Sequence, residues 1–206
     1  MKKHLNERLE KCGALLVWEP ETLRGCWKNT GRPLYLEIGC GKGAFICGMA
    51  AMHPETDFVA VEIVRNIIVT AAEKAQAAEL PNVRFISCDA RRLNEIFAPG
   101  EVDRIYLNFS DPWPRNGHRK RRLTYPDFLS VYKEIMGGKG EVFQKTDNLE
   151  FFEVSLSYYR EAGWNLRNVT YDLHGDGPDL ENVITEYERR FMDLGQPIYR
   201  AEAEVQ

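Results

Sequence analysis

Residues 34–43 read LYLEIGCGKG, a short apolar strand that runs directly into a glycine-rich turn. Residues 43–53 follow with the apolar spacing of a helix that ends before the next proline. Glycines at such a junction permit a tight turn and let a ligand approach the backbone, while the helix start offers unpaired N–H groups. Gly39, Gly41 and Ala44 also satisfy the relaxed dinucleotide fingerprint, so the spacing alone leaves the kind of ligand open.

The rest of the chain alternates short apolar runs with helical patterns, which predicts an α/β fold. Further strands are expected at 57–62, 83–89, 102–109 and 140–146, and helices at 65–80, 125–136 and 148–162. Strands separated by helices imply right-handed crossovers and a mostly parallel sheet that is covered on both faces. Two last strand-like segments, 164–173 and 184–194, predict an antiparallel hairpin at one edge and bring the sheet to seven strands. The turn-rich residues 172–182 are expected to form a mobile loop.

The length of 206 residues predicts one domain, which we place at 34–206 after an N-terminal amphipathic helix and linker at 1–33. No apolar run approaches the roughly 20 residues of a membrane span, and the N-terminus does not have the pattern of a signal peptide. The five cysteines are scattered and form no C-x-x-C pair, which favours reduced thiols in the cytoplasm and no metal site.

Acidic side chains stand at the ends of three predicted strands. Glu37 precedes the glycines, and Glu62 ends the second strand at about the position where an acidic residue holds ribose hydroxyls. Asp89 ends the third strand beside Ala90 and is placed to accept a hydrogen bond from an adenine amino group. A turn lined with carboxylates suits a pyrophosphate poorly. It suits a cation that carries hydroxyls, an amine and an adenine, which predicts S-adenosylmethionine as the cofactor.

Residues 108–125, NFSDPWPRNGHRKRRLTY, join a carboxylate to a dense cationic run. Five cationic side chains lie within residues 115–122, although the whole chain has a formal net charge of −4. This segregation predicts a local anion-binding patch on an otherwise acidic body. RNA is a polyanion that such a patch would bind.

Seven motifs, in the order EIGCGKG, VEI, CDA, NFSDPWP, HRKRRLT, QKTD and TEYE, resemble those of the bacterial tRNA (guanine-N7-)-methyltransferases. The resemblance runs from about residue 34 to residue 194, and DPWP followed by HRKRR is its most specific element. It implies a Rossmann-like class I methyltransferase fold and S-adenosylmethionine as methyl donor. It also implies that the acceptor is the guanosine at position 46, in the variable loop of tRNA.

The resemblance implies roles for individual residues. The expected cofactor contacts are Glu37, Gly39, Gly41, Glu62, Asp89, Ala90 and Asp111, of which Asp111 is also the expected catalytic residue. The expected substrate contacts are Arg115, Asp147, Thr185, Glu186, Tyr187 and Glu188. The expected RNA contacts are Gly117, His118, Arg119, Lys120, Arg121 and Arg122. The chain departs from the family at Arg115, where lysine is usual, and at Gly117, where arginine is usual.

Guanine N7 has an in-plane lone pair and no proton to lose, so methylation there needs alignment more than a strong base. Positive charge appears on the purine as the methyl group moves, and we expect Asp111 to stabilise that charge. Pro112 and Pro114 would stiffen the turn that holds Asp111. Trp113 is expected either to stack on a base or to pack within the protein.

Three other functions remain open on the sequence. DPWP is a near relative of the (Asp/Asn/Ser)-Pro-Pro-aromatic signature of methyltransferases that act on exocyclic amines. An RNA-binding protein with a vestigial cofactor site is a second alternative, and the carboxylates argue against it. An NAD-linked oxidoreductase is the third, and nothing in the sequence resembles a hydride-transfer site. The oligomeric state and the role of residues 1–33 are left open.

Overall fold

A seven-stranded sheet forms the centre of the computed structural model, which describes residues 2–175 and 182–206. The strands are β1 (Leu34–Ile38), β2 (Asp57–Val61), β3 (Val83–Ile86), β4 (Arg104–Asn108), β5 (Glu141–Thr146), β6 (Asn165–Thr170) and β7 (Tyr199–Glu204). The helices are α1 (Lys2–Lys11), α2 (Ala44–Met52), α3 (Arg65–Ala77), α4 (Leu93–Ile96), α5 (Pro126–Ile135), α6 (Leu149–Glu161) and α7 (Glu186–Asp193). Short 3-10 helices lie at Pro20–Leu23, Ala90–Arg92 and Asn116–Arg121.

The strand order is β3-β2-β1-β4-β5-β7-β6. Strands β1 to β5 pair in parallel, and β7 is antiparallel to both β5 and β6. The chain reverses its direction of travel across the sheet between β3 and β4, next to β1, which is where folds of this kind bind ligands. The predicted α/β fold, with a mostly parallel sheet and an antiparallel pair at one edge, is confirmed.

Alternating side chains of the central strands pack on opposite faces of the sheet. Along β2, Val59 and Val61 belong to one apolar cluster, and Phe58 and Ala60 belong to the other. All four are at most 1% exposed. Because both faces are covered, the carboxyl edge of the parallel strands is the part of the sheet that remains accessible to a ligand.

The prediction of a strand at 184–194 is wrong. Most of this segment forms α7, and the second strand of the antiparallel edge is Tyr199–Glu204. The Thr185 side chain accepts a hydrogen bond from the N–H of Glu188 and caps the helix, and the rings of Tyr187 and Phe191 pack one turn apart with centroids 5.0 Å apart. The real strand, YRAEAE, was missed because alanine and glutamate have low strand propensity.

The N-terminal residues pack against the sheet and its helices. Arg8 of α1 donates to both carboxylate oxygens of Glu73 on α3, at 2.7 and 2.6 Å. Leu16 forms a parallel bridge with Phe85 at the outer edge of β3.

The domain boundary at residue 33 stays a prediction. Of the loop expected at 172–182, residues 176–181 lie outside the described part of the chain. Every helix within the described ranges is too short or too polar to cross a membrane.

Candidate active site

The turn after β1 depends on its glycines. Gly39, Gly41 and Gly43 have φ angles of 80°, 53° and 74°, in the left-handed region that favours glycine. A Cβ atom on Gly43 would come within 2.7 Å of the Ala71 Cβ, so this glycine also allows α2 to pack on α3. The Glu62 carboxylate accepts hydrogen bonds from the N–H groups of Gly41 and Val64, at 3.2 and 2.9 Å. The carboxylate that ends β2 therefore fixes the shape of the turn.

Two adjoining cavities open at the carboxyl edge of the parallel strands, and both are bordered by Gly39 and Phe109. The larger, about 450 Å³, includes the predicted cofactor residues Glu62, Asp89, Ala90 and Asp111 in its wall. The smaller, about 300 Å³, includes Glu37, Gly41, Asn108, Thr185, Glu186 and Tyr187. All seven predicted cofactor residues thus line these two neighbouring cavities, together called the groove, and each cavity has a size usual for small-molecule sites.

Glu37 is a buried carboxylate with one oxygen unsatisfied. The residue is 2% exposed, and its Oε1 accepts a hydrogen bond from the Asn108 amide at 3.0 Å. Its Oε2 is buried and makes no hydrogen bond to the described residues. Burial raises the pKa of Glu37 to about 7, although the Asn108 amide, the Lys145 ammonium and the N–H of Ile46 act to lower it. A ligand ammonium in the smaller cavity would satisfy this oxygen and restore the charged form.

The larger cavity combines apolar walls with carboxylates at its rim. Ile38, Cys88 and Phe128 supply apolar surface, and Asp89 stands beside them at the end of the β3 segment. The Asp89 side chain accepts from the N–H of Arg91 at 2.9 Å and so caps the short helix that follows. An apolar cavity wall with a carboxylate beside it suits an adenine ring.

The segment after β4 is held in an unusual backbone conformation. Phe109 and Trp113, which flank Asp111, have φ angles of 52° and 42°, which cost energy for residues other than glycine. Asp111 and Trp113 both line the larger cavity. The Trp113 ring lies 5.7 Å from the His118 ring, and the Arg121 guanidinium carbon lies 4.9 Å from its centroid. In the structure, Trp113 therefore packs against the cationic loop while it lines the cavity.

The cationic run does not form a single surface. Arg115, Gly117, Arg119, Lys120 and Arg121 are exposed, and His118 is half-buried against Trp113. Arg122 is only 5% exposed, and its guanidinium donates to backbone carbonyl oxygens at Pro112 and Trp113. Arg122 is therefore not part of the exposed cationic surface, and its expected contact with RNA stays a prediction. Its position in the sequence showed the charge but not the direction of the side chain.

The segment expected to contact substrate divides in a similar way. Thr185, Glu186 and Tyr187 line the smaller cavity. Glu188 is fully buried and pairs with Lys145 of β5. Glu188 accepts hydrogen bonds from the Lys145 ammonium at 2.8 Å and from the Asn182 amide at 2.8 Å.

Lys145 was missed by the sequence analysis. Its ammonium also donates to Asn182 at 2.6 Å and lies 5.1 Å from the centroid of the Phe45 ring. Burial lowers the pKa of Lys145, although the Glu188 carboxylate opposes this. The motif QKTD included this lysine, but it did not show that the side chain is buried and paired.

Tyr187 lines the smaller cavity, and its phenol is affected by the charges of two acidic residues. Burial and the neighbouring carboxylates of Asp147 and Asp111 raise the pKa of the Tyr187 phenol, against the opposing effect of Arg190. The Tyr187 ring also packs 4.9 Å from the Phe109 ring, centroid to centroid. Tyr187, which lines the smaller cavity, is therefore close enough to Asp147 and Asp111 to be affected by their charges.

The chain is similar in sequence to known methyltransferases. A family model described as "Putative methyltransferase" matches residues 31–201. The tRNA (guanine-N(7)-)-methyltransferase of Bacillus velezensis is 44% identical over 206 residues, which cover 98% of this chain and 94% of that protein. The tRNA (guanine-N(7)-)-methyltransferase of Exiguobacterium sibiricum is 46% identical over 198 residues, which cover 95% of this chain and 92% of that protein.

The fold also matches solved structures. A SAM-dependent methyltransferase from Aquifex aeolicus superposes with a TM-score of 0.58 and 14% sequence identity, over 96% of this chain and 98% of that one. At this identity the likeness concerns the fold, and it confirms the predicted class I methyltransferase architecture.

Proposed function

This chain belongs to the tRNA (guanine-N(7)-)-methyltransferase family, and on that premise we propose that it transfers the methyl group of S-adenosylmethionine to N7 of guanosine 46 in tRNA. One observation carries the proposal: Asp111 lines the carboxylate-bearing groove, and the exposed cationic loop begins four residues later at Arg115. A cationic nucleoside and a polyanion can therefore be bound side by side.

The residues of the groove fit S-adenosylmethionine. Glu37 offers a buried, unsatisfied carboxylate oxygen to its ammonium group, Glu62 lies in the wall beside the glycine turn, and Asp89 lies beside the apolar wall for the adenine. When bound, this cofactor supplies a methyl group on a positively charged sulfur that is a good leaving group. Five carboxylates line the groove, those of Glu37, Glu62, Asp89, Asp111 and Glu186, and they favour a ligand with positive charge over a dinucleotide with a pyrophosphate.

Asp111 lies where the acceptor base would enter. Guanine N7 needs no deprotonation, so the work of the protein is to align the base and to stabilise the charge that develops on it. In this proposal the Asp111 carboxylate supplies the countercharge, and Asp147 and the Tyr187 hydroxyl hold the edge of the base. The strained backbone on both sides of Asp111 persists because surrounding groups hold this segment in position.

The exposed cationic side chains of residues 115–121, next to Asp111 in the chain, bind the phosphates of the tRNA backbone in this proposal. Arg115, Arg119, Lys120 and Arg121 lie on one short segment, and clustered cations of this kind bind phosphates with an affinity that falls as salt rises. A guanosine inside folded tRNA must leave its stack to reach the groove, and backbone contacts on this side would hold the tRNA while it does so.

The proposal is tested with labelled S-adenosylmethionine and two unmodified tRNA transcripts that differ only at position 46, guanosine in one and adenosine in the other. We expect label in the first transcript and almost none in the second. Nucleoside analysis separates the chief alternative, because an enzyme for exocyclic amines gives N2-methylguanosine instead of 7-methylguanosine. Equal labelling of both transcripts, or label in an exocyclic amine, would refute the proposal.

A further inference from the structure

Arg122 lies in the cationic run, but its side chain is directed into the protein. Its Nε–H donates to the carbonyl oxygen of Pro112 at 2.8 Å, and its Nη2–H donates to that of Trp113 at 3.1 Å. These two residues follow Asp111 directly in the chain. The guanidinium therefore holds the two peptide units next to the expected catalytic carboxylate.

The segment at residues 109–114, which Arg122 contacts, has few backbone hydrogen-bond donors of its own. Pro112 and Pro114 have no N–H group. Phe109 and Trp113 have left-handed φ angles, which persist only where surrounding groups enforce them. Two hydrogen bonds from a side chain nine and ten positions further along the chain supply such a constraint.

The arrangement calls for an arginine. Its planar guanidinium presents N–H groups in a rigid fork that can meet two successive carbonyls at once. A lysine keeps the charge but has no planar fork, and a glutamine keeps a donor but loses the charge. The hydrogen-bonding role and the charge of Arg122 can therefore be separated by substitution.

We propose that Arg122 is a positioning residue for Asp111: it fixes the turn at residues 111–113 so that the carboxylate faces the groove, and it does not bind tRNA phosphates. The inference rests on the proposed function only where it predicts an effect on methyl transfer; the contacts of Arg122 with the turn do not depend on that function. The neighbouring Arg119, which is exposed on the same short helix, is assigned to the tRNA backbone. Within one cationic motif, the two arginines have different roles.

The test compares Arg122→Lys and Arg122→Gln with Arg119→Gln as the matched control. Deuterium exchange in the peptide that spans residues 109–114 reports on the turn without any substrate, through the amides of Phe109, Ser110, Asp111 and Trp113. The salt dependence of tRNA affinity reports on phosphate contacts. Turnover at saturating tRNA, measured apart from KM, reports on the placement of Asp111.

Both Arg122 variants are expected to exchange faster than wild type in this peptide and to lose on the order of 100-fold in kcat, as small misplacements of a reacting group do. Their tRNA Kd and salt slope should stay at the wild-type values. Arg119→Gln should show the reverse pattern: unchanged exchange, weaker tRNA binding, and a salt slope reduced by about 0.7–0.9.

A role in phosphate binding predicts a different order of effects. Arg122→Lys would then behave like wild type, and Arg122→Gln would resemble Arg119→Gln in affinity and salt slope; that result would overturn the proposal. If one Arg122 variant fails to fold, the other still separates the two roles, because each role predicts a distinct result for it. If the wild-type protein does not methylate tRNA, the proposed function fails, while the exchange measurement still decides whether Arg122 fixes the turn.

Discussion

The Lys145 ammonium lies 2.8 Å from a carboxylate oxygen of Glu188, and the two side chains are 6% and 0% exposed. This buried ion pair joins β5 to α7 and holds Thr185, Glu186 and Tyr187 against the smaller cavity. Within the described chain, Glu188 anchors the segment whose residues Thr185 to Tyr187 line the smaller cavity. Whether it also contacts substrate stays a prediction.

Removal of Glu188 should strongly destabilise the protein. Glu188→Ala leaves the Lys145 ammonium buried without its counterion, so we expect a loss of about 3–5 kcal/mol in the free energy of unfolding. Denaturant unfolding measures this, and the double variant Glu188→Ala, Lys145→Ala should recover part of the loss. Glu186→Ala, on the exposed face of the same helix, should change the free energy of unfolding by about 0.5 kcal/mol or less. Equal effects of the two glutamate substitutions would contradict the buried pair.

The pKa of Glu37 gives the free protein a distinct pH dependence. It is raised from 4.5 to about 7, so the native state holds a proton there that the unfolded chain has released. The contribution of Glu37 to stability is fully present below pH 4.5 and is lost as pH rises through 7, by about 3 kcal/mol in all. Unfolding of Glu37→Gln at pH 5 and pH 8 should lack this component. A wild-type protein and a Glu37→Gln variant with parallel stability profiles would show that Glu37 is already charged in the native state.

Cofactor binding should release a proton from Glu37. At pH 6 the free carboxyl is mostly protonated, and an ammonium group that pairs with it should drive the proton off. Calorimetry of S-adenosylmethionine binding in two buffers of different ionisation enthalpy measures this release. We expect close to one proton for the wild type and almost none for Glu37→Gln. An equal release from both proteins would place the ammonium elsewhere.

Much of the fold and of the site follows from the sequence because the relevant signals are local. The strand at 34–38 was predicted with its observed bounds, since a continuous apolar run that stops at glycines is typical of a buried parallel strand. Glu37, Glu62 and Asp89 were expected at one edge, because parallel strands bring their carboxyl ends together.

The features that were missed depend on partners far apart in the chain. Lys145 and Glu188 are 43 positions apart, and neither shows from its neighbours that it is buried. The inward direction of Arg122 depends on carbonyl groups nine and ten positions earlier. The strand prediction for residues 184–194 overlooked a helical pattern: Ile184, Tyr187 and Phe191 are three and four residues apart, and Thr185 caps the helix.

Loss of the Asp111 charge should lower turnover more than binding. Asp111→Asn keeps the shape of the side chain but removes the countercharge for the developing positive charge. We expect kcat to fall on the order of 100-fold or more, as when one stabilising group is removed from a reaction site, with a smaller change in tRNA affinity. Single-turnover kinetics with saturating enzyme measures the chemical step directly. Near-normal turnover of Asp111→Asn would show that this carboxylate does not stabilise the developing charge.

The central claim is that the methyl group reaches N7 of one guanosine in tRNA, and the cleavage chemistry of 7-methylguanosine tests it most directly. An end-labelled, unmodified tRNA transcript is incubated with the protein and S-adenosylmethionine and is then treated with borohydride and aniline, which break the chain at N7-methylated guanosine. We predict a single new cleavage at position 46, which disappears when S-adenosylmethionine is left out. A transcript that carries label from the methyl donor but is not cleaved would contradict the account.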